Sequence, residues 1–573
     1  MLYFTVAWNF LLIACGLIGT ALLNLVPANR FKRVGDRLIA ALWLGVVVLS
    51  ISLLATSLIL PLSPVVGAVI AIAFCALSLL SQDTRKEIVA LWLMVSPPLV
   101  LGFFSLELGV AALTTQQVRW IDTGLYHYGA IRWLADFGAV PGLALLNSQF
   151  GFTSSWFAFA APLNAEVLGD RVSAITNGFA LLLALLHFLI CLIHSFTNKA
   201  QLSDSLVIVA SIFILPFLIT SELMSVVLVS ASPDIVVIFL TVVVSWSILI
   251  ASDKNVAPLQ ELKTSVDTKI IPLILSVGAV TIKLTALPIL LISSLFYIWG
   301  KFSLKRILVG STIIVLLLLP MFIFGIVSSG CPFFPASFLC VDLPWSLTVQ
   351  EAQQKAEVTR GWGVWYGSPP PSVIPAVWLF WQWFNSINSN KLITLLILVS
   401  IFCAVYVVRK SLITQSYDQL WMLALAVVGT AFMMLQAPLL RFGFGYIVLL
   451  PALTTAMYCQ NQNSLPKLAH RLTAYYQLRQ LRQASAIASL FLIAIIIVIS
   501  SSDASQAQLI LPPKLPSAEV LPKQINNVSY FSPQDRMGIC WGAELPCAAQ
   551  PDEIQLRNPQ LGIKAGFVRQ KTR

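Results

Sequence analysis

The sequence predicts an all-α polytopic membrane protein with about 14 transmembrane or re-entrant helices, two long outside loops and an outside C-terminal tail. Three observations carry that prediction. Hydrophobic residues make up 58% of the 573 positions and charged residues 10%, where a soluble domain carries about 25% charge. The mean hydropathy is +0.87. Lys and Arg fall in small groups between apolar runs: Arg30/Lys32/Arg33/Arg37, Arg85/Lys86, Lys301/Lys305/Arg306, Arg409/Lys410 and Lys467/Arg471/Arg479/Arg482. That spacing orients helices in a bilayer, and it accounts for the net charge of +11 without nucleic acid.

Runs of about 20 apolar residues with basic flanks place the spans at 5–27, 38–60, 64–80, 88–110, 172–196, 204–221, 233–251, 270–282, 285–299, 306–328, 391–408, 419–435, 444–459 and 485–501. The first run is too long for the apolar region of a cleaved signal and is expected to stay as a span. With Arg30–Arg37 inside, both termini lie outside. The chain then divides into N-terminal helices (1–110), a first outside loop (111–171), central helices (172–328), a second, aromatic-rich outside loop (329–390), C-terminal helices (391–501) and the tail (502–573).

The stretch 270–299 admits two readings, a single tilted crossing or a hairpin. Lys263 and Lys269 precede it, and Lys301, Lys305 and Arg306 follow. Basic residues on both flanks favour a hairpin with its tip near Lys283 and Pro288, each arm about 20 Å long and short of a 30 Å core.

Five of the nine cysteines, Cys15, Cys75, Cys191, Cys403 and Cys459, fall in or beside spans. The other four form two close pairs in outside segments, Cys331/Cys340 and Cys540/Cys547. In an oxidising compartment such pairs read as disulfides. A four-thiolate zinc site is the rival, although neither pair has zinc-knuckle spacing. Disulfides make the outside a periplasm or cell exterior.

Charges next to the outer surface supply the candidate chemistry. The first loop opens Arg119-Trp-Ile-Asp122-Thr-Gly-Leu-Tyr126-His127. Asp122 there can take a proton from a hydroxyl or hold a divalent ion, or it can simply cap a helix starting at Thr123. Asp234 opens the span 233–251, where an acid is ordinarily a dipole partner. Lys283 at bilayer depth costs about 3 kcal/mol or more unless it snorkels or finds a partner. Arg441, between 419–435 and 444–459, has the paired donors that grip phosphate, or it is an interfacial anchor, as Arg171 reads. Together they suggest two acids and two cations at the outer leaflet. That set suits a substrate in which phosphate links a lipid to something polar.

Several phrases resemble an uncharacterised family of bacterial polytopic proteins related to the GT-C-type glycosyltransferases, which take sugars from polyprenyl-phosphate carriers. They are Asp122-Thr-Gly-Leu-Tyr-His127, Pro141-Gly142-Leu, Ser154-Ser155-Trp156-Phe, Ser232-Pro233-Asp234, Ile282-Lys283-Leu, Gly330-Cys-Pro332-Phe-Phe-Pro335 with Trp345, Arg441-Phe442-Gly443, and Cys540-Trp541 to Pro546-Cys547. Asp122 and Tyr126 also fit the Asp-x-x-x-Tyr-like context of the GT-C catalytic acid. Thr123 stands where an acidic neighbour often follows, which leaves metal use open.

The resemblance implies an inverting transferase in a bacterial inner (plasma) membrane. It would move a sugar from a polyprenyl-phosphate donor to an envelope glycan, lipid or protein acceptor. Asp122 would be the base, with Tyr126, His127 and Asp234 around it, and Lys283 and Arg441 would bind phosphate. A glycan polymerase or ligase is a neighbouring reading, and a transporter or envelope scaffold the rival class, with Lys283 and Asp234 as an ion pair.

The second loop carries Trp345, Trp362, Trp365, Tyr366, Trp378, Trp381 and Trp383, interrupted by Pro369–Pro371. The stretch 372–387 is expected to lie flat at the interface on its Trp residues, and the GT-C resemblance, in which the corresponding region shapes the lipid entry and acceptor groove, makes Trp362 and Trp365 candidates for that groove. The tail has little core of its own and is expected to pack on the loops. No internal repeat, nucleotide-binding loop or nucleophile elbow is present to support an inverted-repeat transporter, ATP-driven pump or esterase.

Overall fold

A computed structural model describes residues 1–26, 30–164, 168–169, 171, 174–252, 266–300, 302–361, 365–461, 510–551 and 553–570. The expected span 485–501, the basic group 467–482 and Trp362 lie outside them. Among the described residues nine helices are long and apolar enough to cross a membrane, joined by one bent pair and three shorter apolar helices. The chain is accordingly a multi-pass helical membrane protein.

The first two helices, α1 (Leu2–Leu25) and α2 (Val34–Ser57), are each about 36 Å long, enough for the apolar core of a bilayer. They pack backbone to backbone. A Cβ on Gly19 would lie 1.7 Å from the Ala41 carbonyl oxygen, and one on Gly45 2.0 Å from that of Cys15. In lipid, where burying apolar surface gains little, such small-residue contact is what holds helices together.

The expected span 88–110 is corrected. Two helices occupy the region, α4 (Gln82–Leu93) and α5 (Pro97–Thr114), separated at Met94–Ser96 before the Pro97-Pro98 pair. α4 turns 100° from α3 (Pro64–Leu80). The cause is polar: Glu87 of α4 binds Arg37 at 2.6 Å and Thr84 binds Asn24 at 3.3 Å. These contacts hold α4 at the end of the bundle where the basic groups lie.

That basic end is stapled throughout. Arg33 bridges Asp36 at 2.6 Å and Asp204 at 2.7 Å, and Asp204 also meets His194 at 2.9 Å. Helices α9 (Ile175–Phe196), α10 (Leu202–Thr220), α11 (Glu222–Leu228) and α12 (Pro233–Ser252) follow the first loop, in which α6 (Tyr128–Asp136), α7 (Leu143–Leu146) and α8 (Ser155–Ala160) lie.

The segment 270–299 doubles back. α13 (Ile270–Ile282) and α14 (Leu287–Ile298) meet at a short turn carrying Lys283. Their far ends come together, because Lys269 Nζ donates to the Trp299 carbonyl at 2.8 Å and Arg306, at the start of α15 (Leu304–Ser329), binds Asp267 at 3.0 Å. The remaining helices are α16 (Val349–Arg360), α17 (Pro375–Ser386), α18 (Asn388–Thr414), α19 (Leu420–Gln436) and α20 (Leu440–Asn461). In α17, Trp381 is exposed and Trp383 buried.

At the opposite end the two long loops and the tail share one core, built from Trp133, Leu143, Phe150, Phe334, Ile554 and Phe567. The tail adds strands that the sequence reading did not include. β1 (Val520–Ile525) pairs antiparallel with β2 (Val528–Pro533), and β3 (Ile554–Leu556) with β4 (Phe567–Arg569). Phe567 N–H donates to the Pro141 carbonyl at 2.9 Å, and Arg171 donates to that of Pro512 at 2.8 Å. Cys331 pairs with Cys340 and Cys540 with Cys547, so these thiols are disulfides rather than zinc ligands.

Candidate functional site

Four elements bring four charges to the loop end of the bundle. Asp122 precedes a π-helical turn over Thr123–His127, and its side chain makes no capping bond to that turn. It instead accepts from Arg441 Nη1 at 2.8 Å, across 319 residues of sequence. Arg441 Nε also lies 3.7 Å from Asp234 Oδ2. Asp234 Oδ1 binds Lys283 Nζ. The order is Asp122, Arg441, Asp234, Lys283, with charges alternating and summing to zero.

Local structure fixes each member. Asp234 sits in the first turn of α12, where the helix dipole favours an acid, and it also accepts from Ser232 Oγ at 3.1 Å. The turn bearing Lys283 is tied down on both sides. Ser154 Oγ donates to the Ile282 carbonyl at 2.7 Å, Ser155 bonds Thr281 at 2.9 Å, and Tyr446 donates to the Thr285 carbonyl at 2.9 Å. Lys283 therefore has a partner at depth and does not depend on snorkelling.

Aromatic faces complete the cations' surroundings. The Arg441 guanidinium lies 4.7 Å from the Trp120 ring and 4.8 Å from that of Phe442, and Lys283 Nζ lies 4.0 Å over Phe442. Such contacts add about 0.5–2 kcal/mol each, depending on desolvation. Trp120 and Phe442 were in view in the sequence, flanking Asp122 and Arg441, but nothing in their spacing marked them as ring partners of the cations.

Exposure separates the two acids. The Asp122 side chain is 25% exposed and that of Asp234 is 2% exposed. Asp122 is the carboxylate that an incoming group can reach, and Asp234 is the buried acid that holds Lys283 and lies within ion-pair distance of Arg441.

Tyr126 and His127 stand beside Asp122 in an aromatic nest, their rings 4.4 Å apart and His127 5.2 Å from Phe157. Burial, reinforced by the charge of Asp122, pushes the Tyr126 hydroxyl up. Burial pulls His127 down to about 3, against the opposing pull of Asp234. His127 is thus a neutral ring, with Nδ1 3.5 Å from Thr123 Oγ1.

A stability consequence follows for His127. The unfolded imidazole takes a proton below about pH 6.5 and the folded one does not. Its contribution is complete above that pH and is lost as pH falls toward 3, by about 1.4 kcal/mol per unit. His127→Gln is expected to flatten the decline of the melting midpoint between pH 6 and 4 relative to the unsubstituted protein. Parallel curves would show that His127 is not buried neutral.

The tail closes over this turn. Both Cys540 and Trp541 N–H groups donate to the Gly124 carbonyl, at 3.1 and 3.0 Å, and a Cβ on Gly124 would lie 2.5 Å from the Trp541 ring. Arg132 donates to the Ala543 carbonyl at 2.9 Å. The loop closed by the Cys540–Cys547 disulfide therefore seats directly on the segment that carries Asp122.

Trp365 is half exposed and folds over Gly361 at the end of α16; among the described residues no contact joins it to the four charges. As for a metal, Asp36, His194 and Asp204 place ligand atoms within 4.8 Å of one another at the basic end. The Arg33 guanidinium binds both of those acids and supplies the positive charge the group would otherwise want.

A family model described as a domain of unknown function (DUF8201) matches residues 1–448, a span that takes in Asp122, Asp234, Lys283 and Arg441. No curated protein and no solved structure matches the chain.

Proposed function

The chain belongs to the DUF8201 family, and we propose that it is an integral-membrane glycosyltransferase of GT-C type. It would transfer a sugar from a polyprenyl-phosphate donor to an envelope glycan, lipid or protein acceptor at the outer face of a bacterial inner membrane. The observation that carries the reading is the contact between a reachable Asp122 and Arg441, beside a second cation held by a buried acid.

The acceptor hydroxyl gives its proton to Asp122 as its oxygen bonds to the sugar's anomeric carbon. The bond from that carbon to the phosphate oxygen breaks, and its electron pair leaves on the phosphate. Arg441 and Lys283 stabilise that charge where it develops, and a single displacement of this kind inverts the anomeric centre. Arg441 lies between the two carboxylates, 2.8 Å from Asp122 and 3.7 Å from Asp234, and together with Lys283 it balances their charge. The Lys283–Asp234 ion pair also favours a second reading, a transporter with this pair in its path.

Native mass spectrometry of the full-length protein in detergent tests the proposal. A prenyl monophosphate is expected to bind the unsubstituted protein and to bind Lys283→Ala/Arg441→Ala at least about tenfold more weakly, since each charge-assisted contact is worth about 1.5–3 kcal/mol. Equal binding by both, or none by either while folded, removes the phosphate site and leaves the transporter reading.

A further inference from the structure

Both cations of the site are already neutralised. Lys283 is held by Asp234, which is 2% exposed and also anchored by Ser232. Arg441 is held mainly by Asp122, at 2.8 Å against 3.7 Å for Asp234. Of the two acids only Asp122 stands at the exposed rim. A phosphate that engages Arg441 therefore meets a competitor that belongs to the protein, and that competitor is the proposed base.

We infer that Arg441 is exchanged between Asp122 and the phosphate group of the donor, so that donor binding releases the carboxylate that accepts the acceptor's proton. The inference rests on the phosphate-binding reading above and adds an order of events to it. In the resting site Asp122 Oδ2 is occupied by an N–H donor of Arg441. Arg441 need not travel far to change partners, because the Trp120 and Phe442 rings hold its guanidinium in place. Asp234 keeps its own contact with Arg441 Nε. Donor binding thus frees Asp122 Oδ2 as the acceptor hydroxyl arrives.

Competition has a measurable signature. An internal ligand that occupies the binding group lowers apparent affinity by the fraction of time it does so. Removing the Asp122 charge is therefore expected to tighten phosphate binding, the reverse of what loss of an ordinary site residue does. The experiment is titration of the full-length protein in detergent with a ten-carbon prenyl monophosphate, and separately with inorganic phosphate, following tryptophan fluorescence and calorimetric heat. Four forms are compared: unsubstituted, Asp122→Asn, Arg441→Ala and the double variant. Asp122→Asn is expected to bind about tenfold more tightly, Arg441→Ala more weakly, and the double variant no more tightly than Arg441→Ala.

A gain from Asp122→Asn that persists without Arg441 would be general charge relief and would overturn the exchange. So would unchanged or weaker binding by a folded Asp122→Asn. Asp122→Ser replaces it in the comparison if the amide variant does not fold, and folding is checked by the melting profile. The two probes separate the ligand's source: tightening with both assigns the exchange to phosphate itself, and tightening with the prenyl compound alone assigns it to a lipid-borne phosphate. No binding of either probe to the unsubstituted protein would remove the phosphate reading, and the exchange with it. Binding without competition removes the exchange alone.

Discussion

Asp122→Asn is expected to lower sugar transfer by about two to four orders of magnitude, the usual contribution of a positioned general base, with the protein still folded. The amide is close to isosteric and still offers an oxygen to Arg441 Nη1, so the neighbourhood built around the 2.8 Å contact is preserved. What disappears is the ability to accept a proton. Among the described residues neither neighbouring group stands ready to replace it: Asp234 is buried and engaged by Lys283, Ser232 and Arg441, and His127 is 1% exposed with its basicity already suppressed by burial. Single-turnover transfer from a radiolabelled prenyl-phosphate sugar, in membranes containing equal amounts of each form, measures the effect. Turnover above about a tenth of the original would remove Asp122 as the base. Indifference of every cellular readout to this change would instead favour a transporter or scaffold.

The charged residues of the site were legible because a charge in an apolar chain is conspicuous: Asp234, Lys283 and Arg441 each stand against long uncharged flanks, and Asp122, three residues after Arg119, opens an outside loop soon after a span. The Lys283–Asp234 pair was legible only under the transporter reading and the Arg441–Asp122 contact not at all, since the pairs are separated by 49 and 319 residues and only the packed bundle selects among them. The hairpin tip at Lys283 could be read from basic residues on both flanks, because charge bias acts on loops independently of packing. The break between α4 and α5 could not be read from apolar run length. The stretch 88–110 is continuous in hydropathy, and polar contacts of Thr84 and Glu87 hold the preceding helix across the bundle's end. The strands of the tail were hidden for a related reason. Most side chains of β1 are exposed, so the segment shows no apolar alternation, and the core beneath β3 and β4 is lent by the first loop. The aromatic residues of the second loop drew attention by number, whereas the rings on the cations, Trp120 and Phe442, are single residues beside charges.

Asp234→Ala is expected to destabilise the fold by about 3 kcal/mol, more than the loss of either cation. Removing one partner of a buried pair leaves the other charged and desolvated, at about 3–5 kcal/mol, and the 21% exposure of Lys283 places the cost at the lower end. The reverse change, Lys283→Ala, is milder, because Asp234 keeps Ser232 at 3.1 Å and Arg441 at 3.7 Å. The asymmetry tests whether Asp234 is the buried anchor of Lys283. If it is, Lys283→Met in the Asp234→Ala background should recover most of the lost stability. Methionine keeps the apolar stem beside Phe442 and removes the stranded ammonium, so the two changes should be strongly non-additive. Melting midpoints of the two single variants and the double variant in one detergent measure the coupling, and additive losses would show that the pair is not an interacting unit. The recovered double variant also separates stability from function. It should fold like the parent yet bind prenyl phosphate weakly, because the cation that Asp234 was holding for the phosphate is gone.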